Sequence, residues 1–240
     1  DCVFNRTRCR KKRIRKEDTM VVNVAVDGPA GAGKSTISRA AAKELGFIYV
    51  DTGALYRAVG VYALRNGIGT KDSENIEKAL KDIVVELKFV GDIQHVFLNG
   101  EDVSTEIRTP EASMAASDVS AIPCVRAFLF DLQRDIAKKN NCLMDGRDIG
   151  TVVLPDAKIK IFLTASAEER AKRRYKELVE KGAKDTYEEV LADLEKRDYQ
   201  DSNREIAPLK PAEDSVIVDT SDYNFDEAKN IIVNIIKERI

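Results

Sequence analysis

Hydrophobic positions along this chain recur with two different periods, and short apolar runs alternate with longer amphipathic segments. Five apolar runs lie near residues 21, 47, 142, 159 and 216. Runs of this kind, rich in β-branched residues and bounded by polar or glycine residues, are typical of parallel strands that are buried on both faces. The segments between them carry apolar residues at helical spacing. The pattern therefore predicts an α/β fold in which helices cover a five-stranded parallel sheet.

One stretch, residues 83–103, departs from this alternation. Its apolar residues recur at every second position and lead into an Asn99-Gly100 dipeptide. That combination is typical of antiparallel hairpins. We therefore expect a small antiparallel meander that is inserted into the α/β fold, within a subdomain of about residues 75–120.

The composition is that of an ordinary globular protein, with 43% hydrophobic and 33% charged residues over 240 positions. This length fits a single elaborated α/β domain. No apolar stretch reaches the roughly 18 residues that a membrane span needs, and residues 1–19 lack the apolar core of a signal peptide. We expect a cytoplasmic protein that has no membrane partner.

Charge is distributed unevenly between the first 19 residues and the remainder. Residues 1–19 contain eight Lys or Arg and three Asp or Glu, a net charge of +5, whereas the whole chain carries −2 and the remainder therefore −7. An acidic body argues against nucleic-acid binding. We expect residues 1–19 to be a basic extension, either disordered or derived from sequence upstream of a native start at Met20. The rival interpretation is a basic arm that binds RNA.

Cysteine and histidine residues offer little scope for chemistry in this sequence. The four cysteines show no C-x-x-C spacing, and His95 is the only histidine. The sequence thus predicts neither a zinc site nor a histidine-assisted nucleophile. Cys142 lies in an apolar run and is expected to be a small buried core residue.

The first apolar run leads directly into a glycine-rich loop and then into a helical pattern. Gly28, Gly33, Lys34 and Ser35 satisfy G-x-x-x-x-G-K-[ST], the P-loop, whose backbone amides curl around phosphate oxygens. In this motif the lysine neutralises the outer phosphates, the serine hydroxyl ligates Mg²⁺, and the helix N-terminus favours the same anion. The predicted ATP-binding residues are Gly28, Pro29, Ala30, Gly31, Ala32, Gly33, Lys34, Ser35 and Thr36. The alternative is a glycine-rich turn that only connects a strand to a helix.

A second charged turn follows the apolar run near residue 142. The sequence Asp145-Gly146-Arg147-Asp148 places two carboxylates and a guanidinium just beyond that strand. If the strand neighbours the P-loop strand, Asp145 is placed to hold Mg²⁺, directly or through a bound water. The alternative is a structural turn, in which an aspartate caps the backbone and Arg147 pairs with Asp148.

Arginines are more numerous near these loops than one triphosphate requires. Arg57 lies in the first turn of the helix after the second strand, beside the sheet edge where open α/β folds bind ligands. A solvated helix arginine is the alternative for this residue. Arg197 and Arg204 frame a further cluster at a predicted helix end. Two neighbouring anions would explain this surplus, and direct phosphoryl transfer between them depends on positioning and charge neutralisation.

Several segments together resemble the bacterial cytidylate (CMP) kinases, from about Met20 to the C-terminus. They are residues 27–36, 51–57, 145–153, 197–204 and 207–209. The resemblance implies a three-layer P-loop NTPase fold with a five-stranded parallel sheet, an antiparallel insert that binds the monophosphate, and a lid at about residues 180–200. It also implies a monomeric enzyme that uses Mg²⁺ and ATP to convert CMP and dCMP to CDP and dCDP, and that acts poorly on UMP.

The same resemblance implies roles for residues at matching positions. The residues that would read the cytosine are Thr52, Ser117, Arg126 and Asp148, with Asp148 accepting from the exocyclic amine that UMP lacks. The acceptor phosphate would be held by Arg57, Arg147 and Arg204, and the ribose by Arg197 and Asp201. The expected catalytic residues are Lys34, Asp145, Arg147, Arg197 and Arg204, and the expected Mg²⁺ ligands are Ser35 and Asp145.

Two further hypotheses compete with a CMP kinase. The first is a nucleoside monophosphate kinase of broader or different specificity, for example one that serves UMP and CMP alike. The second is a regulator that binds a nucleotide without catalysis. The intact set of Lys34, Asp145 and the clustered arginines argues against the regulator, because binding alone does not require groups at both ends of a transferred phosphate.

Overall fold

The computed structural model describes residues 21–90, 93–180 and 182–240. The basic extension at residues 1–19 and the expected start at Met20 lie outside the described residues, so the interpretations of that segment stay predictions. Within the described ranges the chain alternates strands and helices in the order that the hydrophobic pattern predicts.

The strands in the described ranges form two separate sheets. In chain order they are β1 (Asn23–Asp27), β2 (Ile48–Asp51), β3 (Val85–Val90), β4 (Ile93–Leu98), β5 (Glu101–Asp102), β6 (Cys142–Gly146), β7 (Ile159–Thr164) and β8 (Val216–Asp219). The main sheet has the order β2-β6-β1-β7-β8, and all its pairings are parallel. The smaller sheet, β3-β4-β5, is antiparallel. The predicted five-stranded parallel sheet and the predicted antiparallel meander are thus both confirmed.

Eight α-helices connect and cover these strands in the described residues. They are α1 (Lys34–Leu45), α2 (Thr52–Arg65), α3 (Ser73–Leu80), α4 (Pro110–Val119), α5 (Pro123–Lys139), α6 (Ala167–Glu180), α7 (Tyr187–Asn203) and α8 (Phe225–Lys237). A single turn of π-helix, Ile149–Val153, follows β6 and was not predicted from the sequence. Its five residues are too few for a period to show in the hydrophobic pattern.

The main sheet has an apolar layer on each face. Val24 and Val26 of β1 pack with residues of α1 and α8, such as Ala41 and Ile232, whereas Ala25 packs on the opposite face with Met144 and its neighbours. This division follows from the period of two along a strand. The alternation leaves the carboxyl ends of β1, β2 and β6 side by side at one edge, where ligands bind in open parallel sheets.

The antiparallel sheet packs on α2, α4 and α5 and shares a core with them. Its β4–β5 turn has positive φ at both central residues, 51° at Asn99 and 85° at Gly100, which is the geometry that favours Asn-Gly in a two-residue hairpin loop. Helices α2 and α4 approach so closely that a Cβ at Gly60 would lie 2.8 Å from the Cβ of Ala115. This contact joins the insert to the helix that follows β2.

Among the described residues no single helix is long and apolar enough to cross a membrane. The pair α4 and α5 meets the length and composition criteria only together, and its two helices are bent by 102° at the break between them. Both helices contribute buried residues, including Val119 and Leu129, to the core beneath the insert.

Candidate active site

A cleft of about 400 Å³ lies at the carboxyl edge of the main sheet, between the P-loop, α2, α4 and α7. All but two of the residues proposed from the sequence line it. Those that line it are Ala30, Gly31, Ala32, Gly33, Lys34, Ser35, Thr36, Thr52, Arg57, Ser117, Arg126, Asp145, Arg147, Asp148, Arg197, Asp201 and Arg204. The other two, Gly28 and Pro29, are the first two residues of the loop and do not line the cleft. A Cβ at Gly28 would lie 1.9 Å from the carbonyl oxygen of Leu163, so only glycine fits there.

The P-loop runs from β1 to α1 in the geometry that its motif requires. Gly31 and Gly33 have positive φ values of 75° and 81°, which let the chain curl before α1 begins at Lys34. The Nζ of Lys34 is buried and donates to the carbonyl oxygen of Pro29 at 2.7 Å. Burial, together with the nearby positive charges of Arg147 and Arg197, lowers the pKa of Lys34. A loop with this convergence of cations is suited to a multiply charged anion.

Asp145 lies beside the P-loop because β6 pairs with β1 and β2 at once. It is in register with Val26 on one side and Asp51 on the other. Its Oδ2 accepts from the hydroxyl of Ser35 at 2.8 Å and from that of Tyr49 at 3.3 Å. Burial and the negative charge of Asp51 raise the pKa of Asp145 to about 7. A nearby cation would relieve this unfavourable burial of negative charge.

The oxygens of Ser35 and Asp145 form a donor set that fits Mg²⁺. Both are hard oxygen donors on different elements, and both face the loop that would hold the phosphates. Mg²⁺ in proteins keeps several waters and takes one or two protein oxygens together with phosphate oxygens, so a pair of this kind is sufficient. The alternative of an isolated structural turn at Asp145 does not account for its contact with the P-loop serine.

Asp148 lies between two arginines, Arg126 of α5 and Arg204 at the C-cap of α7. Its Oδ1 is 3.2 Å from Nη2 of Arg204, and its Oδ2 accepts from Nη2 of Arg126. Asp148 is 5% exposed, and the guanidinium of Arg126 also lies over the ring of Tyr56, 5.9 Å from its centroid. The alternative in which Arg147 pairs with Asp148 is wrong, because Arg147 donates from Nε to Oδ2 of Asp201 at 2.8 Å.

The C-terminal end of α7 presents three charged residues to the cleft. Arg197 and Asp201 are four residues apart and share one face of the helix, and Arg204 is the C-cap residue that follows its last turn. Burial and the positive charges of Arg147 and Arg57 lower the pKa of Arg197 to about 10. Its buried Nε has no hydrogen-bond partner among the described residues. An unpartnered guanidinium nitrogen in a positively charged cleft is suited to an anionic ligand.

Arg57 projects from the first turns of α2 and is held by the residue that caps the same helix. Asp51 accepts from the amide of Ala54 with Oδ1, at 3.0 Å, and from Nη2 of Arg57 with Oδ2, at 2.7 Å. The side chain of Arg57 is 21% exposed, and its buried Nε also has no hydrogen-bond partner within the part of the chain that the structure describes. The alternative of a fully solvated helix arginine is therefore wrong.

Thr52 and Ser117 line the cleft from two different helices, α2 and α4. The hydroxyl of Thr52 is buried and donates to the carbonyl oxygen of Asp145 at 2.7 Å, which ties α2 to the end of β6. Ser117 approaches from α4, on the side of the insert. The insert and the parallel sheet thus both contribute to the wall in which Asp148 lies.

Two residues of this region were not assigned a role from the sequence. Asp27, at the end of β1, accepts from the backbone amides of Ile149 and Gly150. Arg170, buried in α6, donates from Nη1 to the carbonyl oxygen of Ala30 at 2.9 Å, and from Nη2 to Oδ2 of Asp198 at 2.6 Å. The abundance of arginine in residues 170–204 drew attention to Arg170 in the sequence. Its partners follow only from the packing of α6 against the P-loop.

Comparisons with known proteins show which family this chain resembles in sequence. A family model described as cytidylate kinase matches residues 24–238. The cytidylate kinase of Caldicellulosiruptor saccharolyticus is 52% identical over 206 residues, which cover 86% of this chain and 91% of that protein. The cytidylate kinase of Thermosipho melanesiensis is 48% identical over 220 residues, covering 92% and 99%.

A crystal structure of an uncharacterized protein from Eubacterium ventriosum resembles this fold with a TM-score of 0.51. It is 12% identical and covers 91% of this chain and 99% of its own, so the likeness concerns the fold alone. The match of the family model over nearly the whole described chain, and identities near 50% with its relatives, establish that this protein is a kinase and belongs to the cytidylate kinase family.

Proposed function

We propose that the protein transfers the γ-phosphoryl group of ATP to CMP or dCMP, which yields ADP and CDP or dCDP. The observation that carries this proposal is a single cleft with a P-loop at one end and Asp148, held between Arg126 and Arg204, at the other. One end suits a triphosphate, and the other offers a carboxylate acceptor to a base that carries an amine. The named relatives act as further support, because they are cytidylate kinases.

The donor half comprises the P-loop and the groups around it. Backbone amides of residues 28–36 would surround the phosphates, and Lys34 would leave the carbonyl oxygen of Pro29 to reach the β- and γ-phosphates. Ser35 and Asp145 would hold Mg²⁺, Asp145 directly or through a water. An Mg²⁺ ion held there would supply positive charge that offsets part of the phosphate charge.

The acceptor half comprises residues of α2, α4 and α5, of the segment after β6, and of α7 with its C-cap. The cytosine would be read by Thr52, Ser117, Arg126 and Asp148, the acceptor phosphate would be held by Arg57, Arg147 and Arg204, and the ribose would contact Arg197 and Asp201. Asp148 would accept from the exocyclic amine of cytosine. UMP carries a carbonyl oxygen at that position, and its approach would leave a buried carboxylate facing an acceptor, which a site of this kind rejects strongly.

The chemistry that this arrangement supports is direct, in-line transfer between two bound nucleotides. The cleft contributes positive charge from Lys34, Arg147 and Arg197, which would offset the charge on the phosphoryl oxygens as it moves between donor and acceptor. Closure of the insert and of the lid around residues 180–200 would exclude water, so that CMP and not water accepts the phosphoryl group. We expect the enzyme to act as a monomer without nucleic-acid or membrane partners.

A coupled assay of ADP release with CMP, dCMP, UMP, AMP and GMP tests this function. We expect rapid turnover with CMP and dCMP and slow turnover with UMP. Turnover with AMP but none with CMP would reject the proposal. Equal efficiency with UMP and CMP would favour the broader kinase, an alternative that the similarity to cytidylate kinases does not favour.

A further inference from the structure

Asp27 makes a pair of backbone contacts that join the P-loop strand to the segment after β6. Its Oδ1 accepts from the amide of Ile149 and its Oδ2 from the amide of Gly150, both at 2.7 Å. These amides are the first two of the π-helix at Ile149–Val153, and helix-terminal amides have no partner within their own helix. Asp27 therefore caps a helix that lies 122 residues further along the chain.

The capping of the π-helix by Asp27 bears on which groups the carboxylate of Asp148 contacts. Asp148 occupies the N-cap position of the π-helix, where an aspartate normally turns its carboxylate back onto the first amides. Its side chain makes no capping hydrogen bond here. The carboxylate instead points toward the cleft, where it meets Arg126 and Arg204. Asp27 thus caps the helix in place of Asp148, and the carboxylate of Asp148 is available to contact a ligand.

We infer that Asp27 is a positioning residue for base specificity, which holds the backbone of Ile149 and Gly150 so that the Asp148 carboxylate stays in the cleft. The inference rests on the proposed role of Asp148 in reading cytosine. It predicts that the identity of residue 27, which has no place in the acceptor pocket, controls the preference for CMP over UMP.

The surroundings of Asp27 allow little freedom for its carboxylate. Asp27 is 4% exposed, and a Cβ at Gly150 would lie 3.3 Å from its Oδ2 and 3.2 Å from Cδ of Lys160. A side chain at position 150 would thus compete with the carboxylate for space. Burial and the negative charge of Asp148 raise the pKa of Asp27, while the two amides and Lys34 oppose this. Burial of a carboxylate costs free energy, so its presence at this position is expected if the group has a role in the site.

The test compares the wild type with Asp27→Asn and Asp148→Ala and with the double variant. Asparagine keeps the shape of aspartate but can accept from only one of the two amides. We expect Asp27→Asn to raise KM for CMP about tenfold and to lower the CMP:UMP ratio of kcat/KM by a similar factor, while KM for ATP changes by less than about twofold. In the Asp148→Ala background the same substitution should leave the CMP:UMP ratio unchanged, because the residue through which it acts is gone.

Gly150→Ala is a second route to the same contact and does not alter Asp27. It should lower the CMP:UMP ratio in the same direction, and it decides the matter if Asp27→Asn does not fold. Ile232→Val, at a buried position of α8 that does not line the cleft, is the control for a general loss of stability. It should leave the CMP:UMP ratio unchanged.

An unchanged CMP:UMP ratio in Asp27→Asn, or an equal loss of kcat with CMP and UMP, would overturn the inference and indicate that Asp27 only supports the P-loop. A ratio that falls equally in the wild-type and Asp148→Ala backgrounds would also overturn it. The proposed function fails in a different way. In that case the wild type itself shows no preference for CMP, or Asp148→Ala leaves the preference intact.

Discussion

The hydroxyl of Ser35 donates to Oδ2 of Asp145 at 2.8 Å, although the two residues lie 110 positions apart in the sequence. This pair brings two side-chain oxygens, the proposed ligands of Mg²⁺, to one point beside the P-loop. Asp145→Asn keeps an acceptor for Ser35 and removes the negative charge, so we expect kcat/KM for MgATP to fall by roughly 10²-fold or more and the Mg²⁺ requirement to rise. Initial rates over a Mg²⁺ titration check this.

Ser35→Thr is the matched control for that measurement, because the P-loop motif accepts either hydroxyl. It should retain most of the activity and the wild-type Mg²⁺ dependence. The assignment of Asp145 would be rejected if Asp145→Asn followed the same Mg²⁺ titration curve as the wild type.

Lys34→Ala should abolish turnover and leave CMP binding largely in place. The residue lies in the donor half, whereas the groups that would bind CMP come from other elements, so we expect a loss of kcat of about 10³-fold or more with a CMP dissociation constant within about threefold of the wild type. Steady-state rates and calorimetric titration with CMP measure the two quantities. Lys172→Ala, on the exposed face of α6, is the control. Undiminished turnover in Lys34→Ala would refute the role of Lys34.

Asp148→Asn should remove much of the preference for CMP over UMP. The amide presents a donor as well as an acceptor, so it can pair with the carbonyl oxygen of UMP, and it no longer offers a charge to Arg126 and Arg204. We expect the CMP:UMP ratio of kcat/KM to fall by about 100-fold. Asp135→Asn, an exposed aspartate on the same helix as Arg126, should change nothing. Equal losses with CMP and UMP would indicate a structural role only.

The raised pKa of the buried Asp27 carboxylate predicts how the free energy of unfolding depends on pH. Its pKa is raised from the ordinary 3.8 to about 6, because burial disfavours the charge, so the folded state binds a proton more tightly than the unfolded state. This contribution to stability is present at low pH and is lost as the pH rises through 6. Relative to Asp27→Asn, the wild type should lose about 1 kcal/mol of unfolding free energy between pH 5 and pH 7.

Urea denaturation of both proteins at the two pH values measures this difference. Asp145, whose pKa is also raised, titrates in both proteins and therefore cancels from the comparison. A difference that stays constant, or that changes in the opposite sense, would show that the Asp27 carboxylate is not stabilised in its protonated form.

The part of the site formed by the P-loop was predictable from the sequence pattern of neighbouring residues. A β-branched run, a glycine-rich loop and a helical period follow one another directly, so β1, the P-loop and α1 could be placed from neighbouring residues alone. Asp145 required one additional condition, that β6 lies beside β1, and the register confirms it. The roles of the individual arginines followed from resemblance to a family and stay proposals.

The remaining contacts were not predictable because they join residues that are distant in sequence. Nothing near Asp27 indicates that it will accept from the amides of a helix that begins more than a hundred residues later, nor that this helix has π geometry. The contacts of Arg170 with Ala30 and Asp198 likewise depend on how α6 packs against the P-loop. The sequence shows which side chains are charged, but the packing of the elements determines which polar partner each of them contacts.

The insertion of β6 between β1 and β2 has a consequence for how the chain folds. The pairing of β1 with β6 joins residues 119 positions apart, for example Asn23 and Cys142, and the whole antiparallel insert lies within the loop that this pairing closes. Closing a loop of that length is entropically costly and slows folding. Ser35 and Asp145 meet only once this pairing has formed, so we expect the appearance of nucleotide binding during refolding to report on completion of the central sheet rather than on formation of the P-loop.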